Sequence, residues 1–166
     1  MPPLLDRSTR ALRRGSMVPL SEIRAVLGQV NIVVQDMAAA IDFWRLLGVE
    51  VSGTLTEWTA HHRAIASTAE GFDADLDSSA YARHWNRGIP EGWTGVVIGL
   101  RVQSRDDVDA VYERVTAAGY VGQQPPYDAF WGARYAAVQG PDGIVVGLMS
   151  PALDAMRTMP PNPPGS

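Results

Sequence analysis

Three aspartates that alternate along the chain are the first candidates for chemistry. Asp73, Asp75 and Asp77 are spaced by two residues, so on a β-strand their carboxylates share one face of the sheet. Crowding three carboxylates raises the pKa of at least one of them or attracts a cation. On the wall of a cleft this cluster would supply a general base or metal ligands. At the sheet edge it would be a solvated strand end, which is the interpretation we favour.

The histidines are the second set of candidates, and there are only three: His61, His62 and His84. His61 and His62 fall on a predicted strand, where alternation sends the two rings to opposite faces, so a metal site formed by both is not expected. We predict one surface histidine and one hydrogen-bonded wall residue. The alternative is that His62 acts as a proton shuttle or a substitute metal ligand. His84 is expected at the surface or in a lid.

Composition excludes several functional classes. The 166 residues contain no cysteine, which excludes disulfides, thiolate metal sites and a cysteine nucleophile. There is no glycine-rich phosphate loop, nucleophile elbow or dinucleotide fingerprint. A net charge of -4 argues against nucleic acid as a partner, and no apolar stretch is long enough to span a membrane. We therefore expect a soluble, cytoplasmic protein.

The elements that must position these side chains form a pattern that occurs twice. A predicted strand at 30–34 leads through the N-cap Asp36 into an amphipathic helix that a glycine ends. A second strand at 96–102 leads into another such helix, which begins at Ser104 with Asp107 placed for a capping box. Each helix has one apolar stripe, so each should cover one face of a sheet and leave the other face open.

Three further strands are predicted after each helix, which makes each half a βαβββ module. We predict an α+β fold in which the two modules form a curved eight-stranded mixed sheet, with the helices outside and a concave cleft inside. The connector between the modules spans 78–94. The predicted strands that follow the helices are 49–56, 61–67, 72–77, 120–123, 132–138 and 144–149.

The predicted domain spans residues 25–150 and is flanked by two extensions. Residues 1–24 form an N-terminal extension that we expect to be partly disordered. Its arginines are not accompanied by the continuous apolar core of a secretory signal. Residues 151–166 form a C-terminal tail whose prolines cannot donate backbone hydrogen bonds. We expect the end of this tail to be disordered as well.

Four segments of the chain resemble the vicinal oxygen chelate superfamily, which includes glyoxalase I, extradiol dioxygenases, fosfomycin-resistance enzymes and bleomycin-binding proteins. They are QVNIVVQD at 29–36, FWRLLG at 43–48, FWGARY at 130–135 and GPDG at 140–143. The family's usual aspartate before Pro-Asp-Gly is replaced here by glycine. The resemblance covers about residues 25–150 and implies the fold more strongly than the function, because this fold carries unrelated chemistries.

The resemblance implies four metal-ligand positions, of which two are lost. Gln29 matches the first ligand position and Asp75 is the best match to the glutamate on the fourth strand. Val97 and Gly147 stand where a histidine and a glutamate would be expected, and neither side chain carries a donor atom. A divalent ion would keep too few protein ligands, so we predict no metal and no other cofactor.

The remaining candidates suit a flat, partly apolar ligand. We predict that polar side chains orient its polar groups while aromatic rings sandwich it, although the same rings could instead seal a dimer interface. The predicted ligand-binding residues are Gln29, Asn31, Trp58, Asp75, Arg101, Trp131 and Tyr135.

The sequence therefore predicts a metal-free small-molecule binding protein of the glyoxalase/bleomycin resistance type, forming a homodimer. Its ligand would be an antibiotic or a metabolite, and binding alone would protect the cell. The alternative is an enzyme, either a metal-dependent lyase, isomerase or dioxygenase with one divalent ion, or a metal-free tailoring enzyme. In the metal-free version Asp75 or His62 is the general base. A third alternative is a structural interaction module whose cleft is filled by side chains.

Overall fold

The computed structural model describes residues 23–52, 60–65 and 72–161. Nearly all of the N-terminal extension, Trp58 and the last five residues lie outside this part of the chain. The described elements are β1 (Val26–Val34), α1 (Met37–Leu46), β2 (Val51–Ser52), β3 (His62–Ile65), β4 (Asp73–Ser78), α2 (Ser79–Trp85), β5 (Gly95–Arg101), α3 (Arg105–Ala117), β6 (Val121–Asp128), β7 (Arg134–Gln139) and β8 (Val145–Met149).

The two predicted modules form one sheet within a single chain. The strand order is β2-β3-β4-β1-β5-β8-β7-β6, so each module contributes four neighbouring strands. β1 pairs in parallel with β4, and β5 pairs in parallel with β8. The modules meet where β1 and β5 pair antiparallel. This arrangement confirms the predicted α+β fold and its eight-stranded mixed sheet.

Both predicted helix starts are confirmed in atomic detail. The Asp36 side chain accepts a hydrogen bond from the backbone N–H of Ala39 at 2.9 Å. At α3, Ser104 and Asp107 each accept a bond from the other's backbone N–H, both at 3.1 Å, which completes the capping box. These caps satisfy N–H groups that the first helical turn leaves without partners.

The two long helices cover the convex face of the sheet. Met37 of α1 packs with Leu76 of β4, and Trp44 packs against the same cluster, as its place in the helical stripe predicts. On the other module, Val108 of α3 packs with Leu148 of β8. Burying these apolar side chains on the outside of the sheet leaves the concave face free for a site.

The connector contains a helix that the sequence analysis did not predict. Ser78, the last residue of β4, caps α2 by accepting a hydrogen bond from the N–H of Tyr81 at 3.0 Å. α2 buries Tyr81 and Trp85 against Val33, Val97 and other apolar residues of the concave face. It therefore closes part of the cleft rather than crossing it as a loop.

The second module has a longer edge strand than predicted. β6 extends to Asp128 through Pro125 and Pro126, which an edge strand tolerates because one of its sides needs no hydrogen bonds. The GPDG segment at 140–143, between β7 and β8, forms a short 3-10 turn at Pro141–Gly143. None of the described helices has the length and apolar character that crossing a bilayer requires.

Candidate functional site

A cavity of about 540 Å³ lies on the concave face and has two chemically different halves. Its polar wall comes entirely from β1, β3 and β4 of the first module. Its apolar wall comes from α2, from the second module and from the C-terminal segment. The polar wall is formed by Gln29, Asn31, His62, Asp73, Asp75 and Asp77, and the apolar wall by Tyr81, Trp85, Phe130, Trp131, Tyr135, Met149 and Pro160.

The acidic run lies in the cleft, and the strand-end interpretation is wrong for it. β1 and β4 pair in a register that places Asp73 beside Gln29 and Asp75 beside Asn31. The side chains of both strands therefore share the concave face. Asp77 is only 1% exposed, which is incompatible with a solvated strand end.

His62 and the buried Asp77 form a pair on the polar wall, in which the His62 side chain is partly exposed. Nδ1 of His62 lies 2.7 Å from Oδ1 of Asp77, and Asn31 donates a hydrogen bond to Oδ2 at 2.9 Å. Burial lowers the pKa of His62, but the hydrogen bond and the charge of Asp77 outweigh it and keep that pKa above its ordinary value. Asp77 thus orients the ring and leaves Nε2 as the other nitrogen for proton transfer.

The two rings of the histidine pair point apart, as alternation predicts. His61 Nδ1 lies 2.9 Å from the hydroxyl of Ser78, while His62 lines the cavity. His84 is an exposed residue of α2 and lies on the outer side of that helix, beside Arg83 and Arg87. Only His62 of the three is therefore placed for chemistry in the cleft.

Asp75 is a partly buried carboxylate bound to a neutral partner. The amide Nε2 of Gln29 donates a hydrogen bond to its Oδ2 at 3.1 Å. Burial raises the pKa of Asp75 to about 6, although the charge of His62 and the bond from Gln29 act in the opposite direction. A carboxyl group with this pKa can exchange a proton near neutral pH, which is what a general base requires.

Arg101 does not line the cavity, contrary to its predicted role in orienting a ligand. Its guanidinium forms an ion pair with Asp73. Its side chain also packs across Gly28, where an added Cβ would lie 2.6 Å from its Cδ. Arg101 therefore neutralises one carboxylate at the rim of the cavity and leaves Asp75 without an arginine partner.

The apolar wall is a cluster of interlocked aromatic rings. Tyr135 packs edge to face against Trp85 and Trp131, with ring centroids 6.0 and 5.6 Å apart. Phe130 packs in the same way against Trp131 at 5.0 Å. The predicted residues Trp131 and Tyr135 thus lie in the cavity, whereas Trp58 lies outside the described residues.

The contribution of α2 to this wall was not predicted from the sequence. Tyr81 and Trp85 sit four residues apart after Ser78, which is the spacing of one helical face after an N-cap. That pattern was a sufficient basis for predicting α2. It would not have shown that α2 turns back over the concave face, because that depends on long-range packing.

The C-terminal segment also contributes to the cavity, which its composition did not predict. The backbone N–H of Leu153 donates to the carbonyl of Gly132 at 3.1 Å, and that of Thr158 donates to the carbonyl of Phe130 at 2.9 Å. Gly132 has φ +91°, and an added Cβ would lie 2.5 Å from the Leu153 carbonyl oxygen. The segment therefore follows the β6–β7 turn and brings Pro160 to the cavity wall.

The residues present do not fit the metal that the resemblance implies. Val97 is 1% exposed and belongs to an apolar cluster. Gly147 is the counterpart of Asp75 in the second module, since it lies beside Gly99 as Asp75 lies beside Asn31. A Cβ at Gly147 would lie 2.6 Å from the hydroxyl oxygen of Tyr135, so the tyrosine fills that position.

The described part of the chain offers no replacement for the lost ligands. No group of three or more His, Cys, Asp or Glu side chains within it is arranged to hold a metal ion. Gln29 and Asp75 alone would give an ion two protein ligands, fewer than catalytic or structural sites use.

Comparison with known proteins agrees with this architecture. A family model described as the Glyoxalase/Bleomycin resistance protein/Dioxygenase superfamily matches residues 26–148. A search of curated proteins gives no match.

Solved structures that resemble the chain share its fold at low sequence identity. The Mn(II)-bound glyoxalase from Novosphingobium aromaticivorans is 20% identical with a TM-score of 0.54, covering 83% of this chain and 44% of its own. Methylmalonyl-CoA epimerase from Mycobacterium tuberculosis is 20% identical with a TM-score of 0.51, covering 84% and 96%. An extradiol ring-cleaving dioxygenase from B. fuscum is 17% identical with a TM-score of 0.55, covering 81% and 35%.

The His62–Asp77 pair predicts a measurable change in titration. In an Asp77→Asn variant we expect the pKa of His62 to fall, because the ring loses the hydrogen bond and the adjacent negative charge of Asp77. Titration of the His62 ring by NMR measures this change. Asp73→Asn is the matched control, since Asp73 pairs with Arg101, and should leave the His62 titration unchanged. An unchanged His62 in Asp77→Asn would contradict the pairing.

Burial of Asp75 predicts that the protein loses stability as pH rises from about 4 to 6. The unfolded carboxyl ionises near 3.8 and the folded one near 6, so the unfolded state releases its proton first. At pH 7 the ionised Asp75 therefore lowers the free energy of unfolding by up to about 3 kcal/mol. Asp75→Asn should be more stable than wild type at pH 7 and equally stable at pH 3.5, measured by urea denaturation. A variant that is less stable at pH 7 would contradict this assignment.

Proposed function

The chain belongs to the glyoxalase/bleomycin resistance protein/dioxygenase superfamily, and we propose that it binds a small, partly aromatic organic molecule in its cleft without the family's metal. The aromatic part of the ligand would contact the rings of the second module. Its polar groups would face Gln29, Asn31 and Asp75 on the first module.

The division of the cavity into a polar and an aromatic wall is the observation that carries this proposal. A pocket of about 540 Å³ is within the size range of small-molecule sites. The rings of Trp131, Tyr135 and Phe130 provide contacts for a flat apolar part of the ligand. The polar side chains of the opposite wall provide directional hydrogen bonds to its polar groups. A cleft that only sealed a protein contact would not need three carboxylates on one wall.

The activities of the structural relatives do not decide between binding and catalysis. A Mn(II)-bound glyoxalase, an epimerase and an extradiol dioxygenase share this fold. Function in such folds depends on the side chains in the cleft rather than on the scaffold. In this chain Val97 and Gly147 remove two donors, which supports a role that does not use the metal.

A metal-free enzyme is the second candidate, favoured by the His62–Asp77 pair. A histidine held through Nδ1 by a buried carboxylate can accept and release a proton at Nε2. Asp75, with a pKa of about 6, lies on the same wall and could act as the base instead. A protein that only sequesters its ligand would need neither group to transfer a proton.

Binding can be tested with 1-naphthylmethanol, a neutral bicyclic alcohol. We expect a Kd of about 1 mM, the affinity typical of a fragment of this size, unchanged when EDTA is added. Phe130→Ala should weaken binding at least about fivefold, because Phe130 lines the cavity. Phe43→Ala is the matched control, since Phe43 is 57% exposed on α1, and should bind like wild type. Equal loss in both variants, or no binding to wild type, would contradict the proposed site.

The two candidates differ in what happens to the ligand. A substoichiometric amount of protein should leave every component of a cell metabolite extract at its starting concentration if the protein only binds. An enzyme would deplete one component over many turnovers, and the His62→Gln variant would not. Mass spectrometry of the extract before and after incubation measures the difference. Depletion by wild type but not by the variant would favour the enzyme.

A further inference from the structure

The side chains that line the cavity include more acidic groups than basic groups. Three carboxylates and one imidazole line it, and neither an arginine nor a lysine is among its described lining residues. Asp73 pairs with Arg101 at the rim, and both oxygens of Asp77 are bound, one by His62 and one by Asn31. Two of the three carboxylates, Asp73 and Asp77, therefore already have partners within the protein.

Asp75 is the carboxylate without a bound cation. Its only hydrogen-bond donor within the described part of the chain is the neutral amide of Gln29. Nδ1 of His62, the nearest basic group on the wall, is already bound to Asp77. A carboxylate on a partly buried wall whose bound partner is a neutral amide is poorly compensated for its loss of water. A positive charge placed beside it would remove that penalty.

Aromatic rings stand next to these carboxylates. Tyr81 packs against the His62 ring, with centroids 5.4 Å apart. Burial and the charges of Asp77 and Asp75 raise the pKa of the Tyr81 phenol, so the ring and the carboxylates share one environment. Aromatic faces attract cations, with free energies of about 0.5 to 2 kcal/mol. A cationic group at Asp75 would thus have carboxylate and ring partners together.

The hydroxyl of Tyr135 is a further polar group in the cavity. Tyr135 is 8% exposed and lines the cavity. Its hydroxyl makes no hydrogen bond with any residue that the structure describes, and it lies over Gly147 on the cleft side of β8. A phenol hydroxyl that faces a cavity without a protein partner can donate a hydrogen bond to a polar atom of a ligand or accept one from it.

We propose that the natural ligand is an organic cation: an aromatic ring system that carries a protonated amine against Asp75 and a second polar atom near Tyr135. This inference rests on the proposed function, because it assigns a charge to the molecule that the cleft binds. The ammonium group would donate hydrogen bonds to Asp75, and the ring would pack against Trp85 and Trp131. The charge of the ligand thus replaces the missing counter-charge on the wall.

A matched series of probes separates this inference from the proposed function. 1-Naphthylmethylamine, 1-naphthylmethanol and 1-naphthoate share one ring system and carry a positive, a zero and a negative charge at neutral pH. Titration calorimetry with EDTA present gives the Kd of each. We expect the amine to bind at least about tenfold more tightly than the alcohol, and the carboxylate to bind more weakly than both.

Asp75→Asn tests whether Asp75 is the source of this preference. In that variant the amine and the alcohol should bind within about twofold of each other. Asp42→Asn is the matched control, because Asp42 is an exposed residue of α1 and its loss changes the net charge equally. It should keep the tenfold preference for the amine.

The other outcomes of these binding experiments each contradict a different statement. If the alcohol binds and the amine binds no better, the ligand is not recognised as a cation and the proposed function stands. If both variants keep the preference, the cation is not at Asp75. If none of the three probes binds to wild type, the proposed function itself is wrong.

Discussion

The antiparallel pairing of β1 with β5 is the contact on which the site depends. It joins two βαβββ modules edge to edge and so places the cleft-facing residues of both on one concave surface. Gln29 and Asn31 on β1 then face Gly99 and Val97 on β5. Because side chains alternate along each strand, this single register decides which residues meet in the cavity.

The two modules carry side chains of different chemistry at equivalent positions of their strands. At equivalent positions the first module carries Gln29 and Asp75, whereas the second carries Val97 and Gly147. The missing side chain at Gly147 leaves room for Tyr135, which in turn supports the aromatic wall. The loss of donor atoms and the gain of an aromatic surface are therefore two aspects of one change.

Local sequence patterns predicted most of the fold. The repeat, the caps at Asp36 and Ser104 and the alternation in the acidic run depend on residues close together in the chain. Gln29 and Asp75, which the resemblance matched to the family's ligand positions, both line the cavity. These features need no knowledge of distant contacts.

The features that were not predicted depend on contacts between residues far apart in the chain. The face on which Asp77 lies depends on the pairing of β4 with β1, whose hydrogen-bonded side chains are 46 residues apart. The partner of Arg101 is Asp73, 28 residues away, and no local pattern links them. The placement of α2 over the cleft likewise depends on Val33 and Val97 beneath it.

The central claim is that the cleft recognises an organic ligand through unequal walls and does not hold the family's metal. Electron paramagnetic resonance of Mn²⁺ tests it directly, because bound and free ions give different spectra. Protein freed of metal and mixed with an equimolar amount of Mn²⁺ should leave the spectrum of the free ion unchanged. Stoichiometric loss of that spectrum, restored by Asp75→Asn, would place a metal in the cleft and contradict the account.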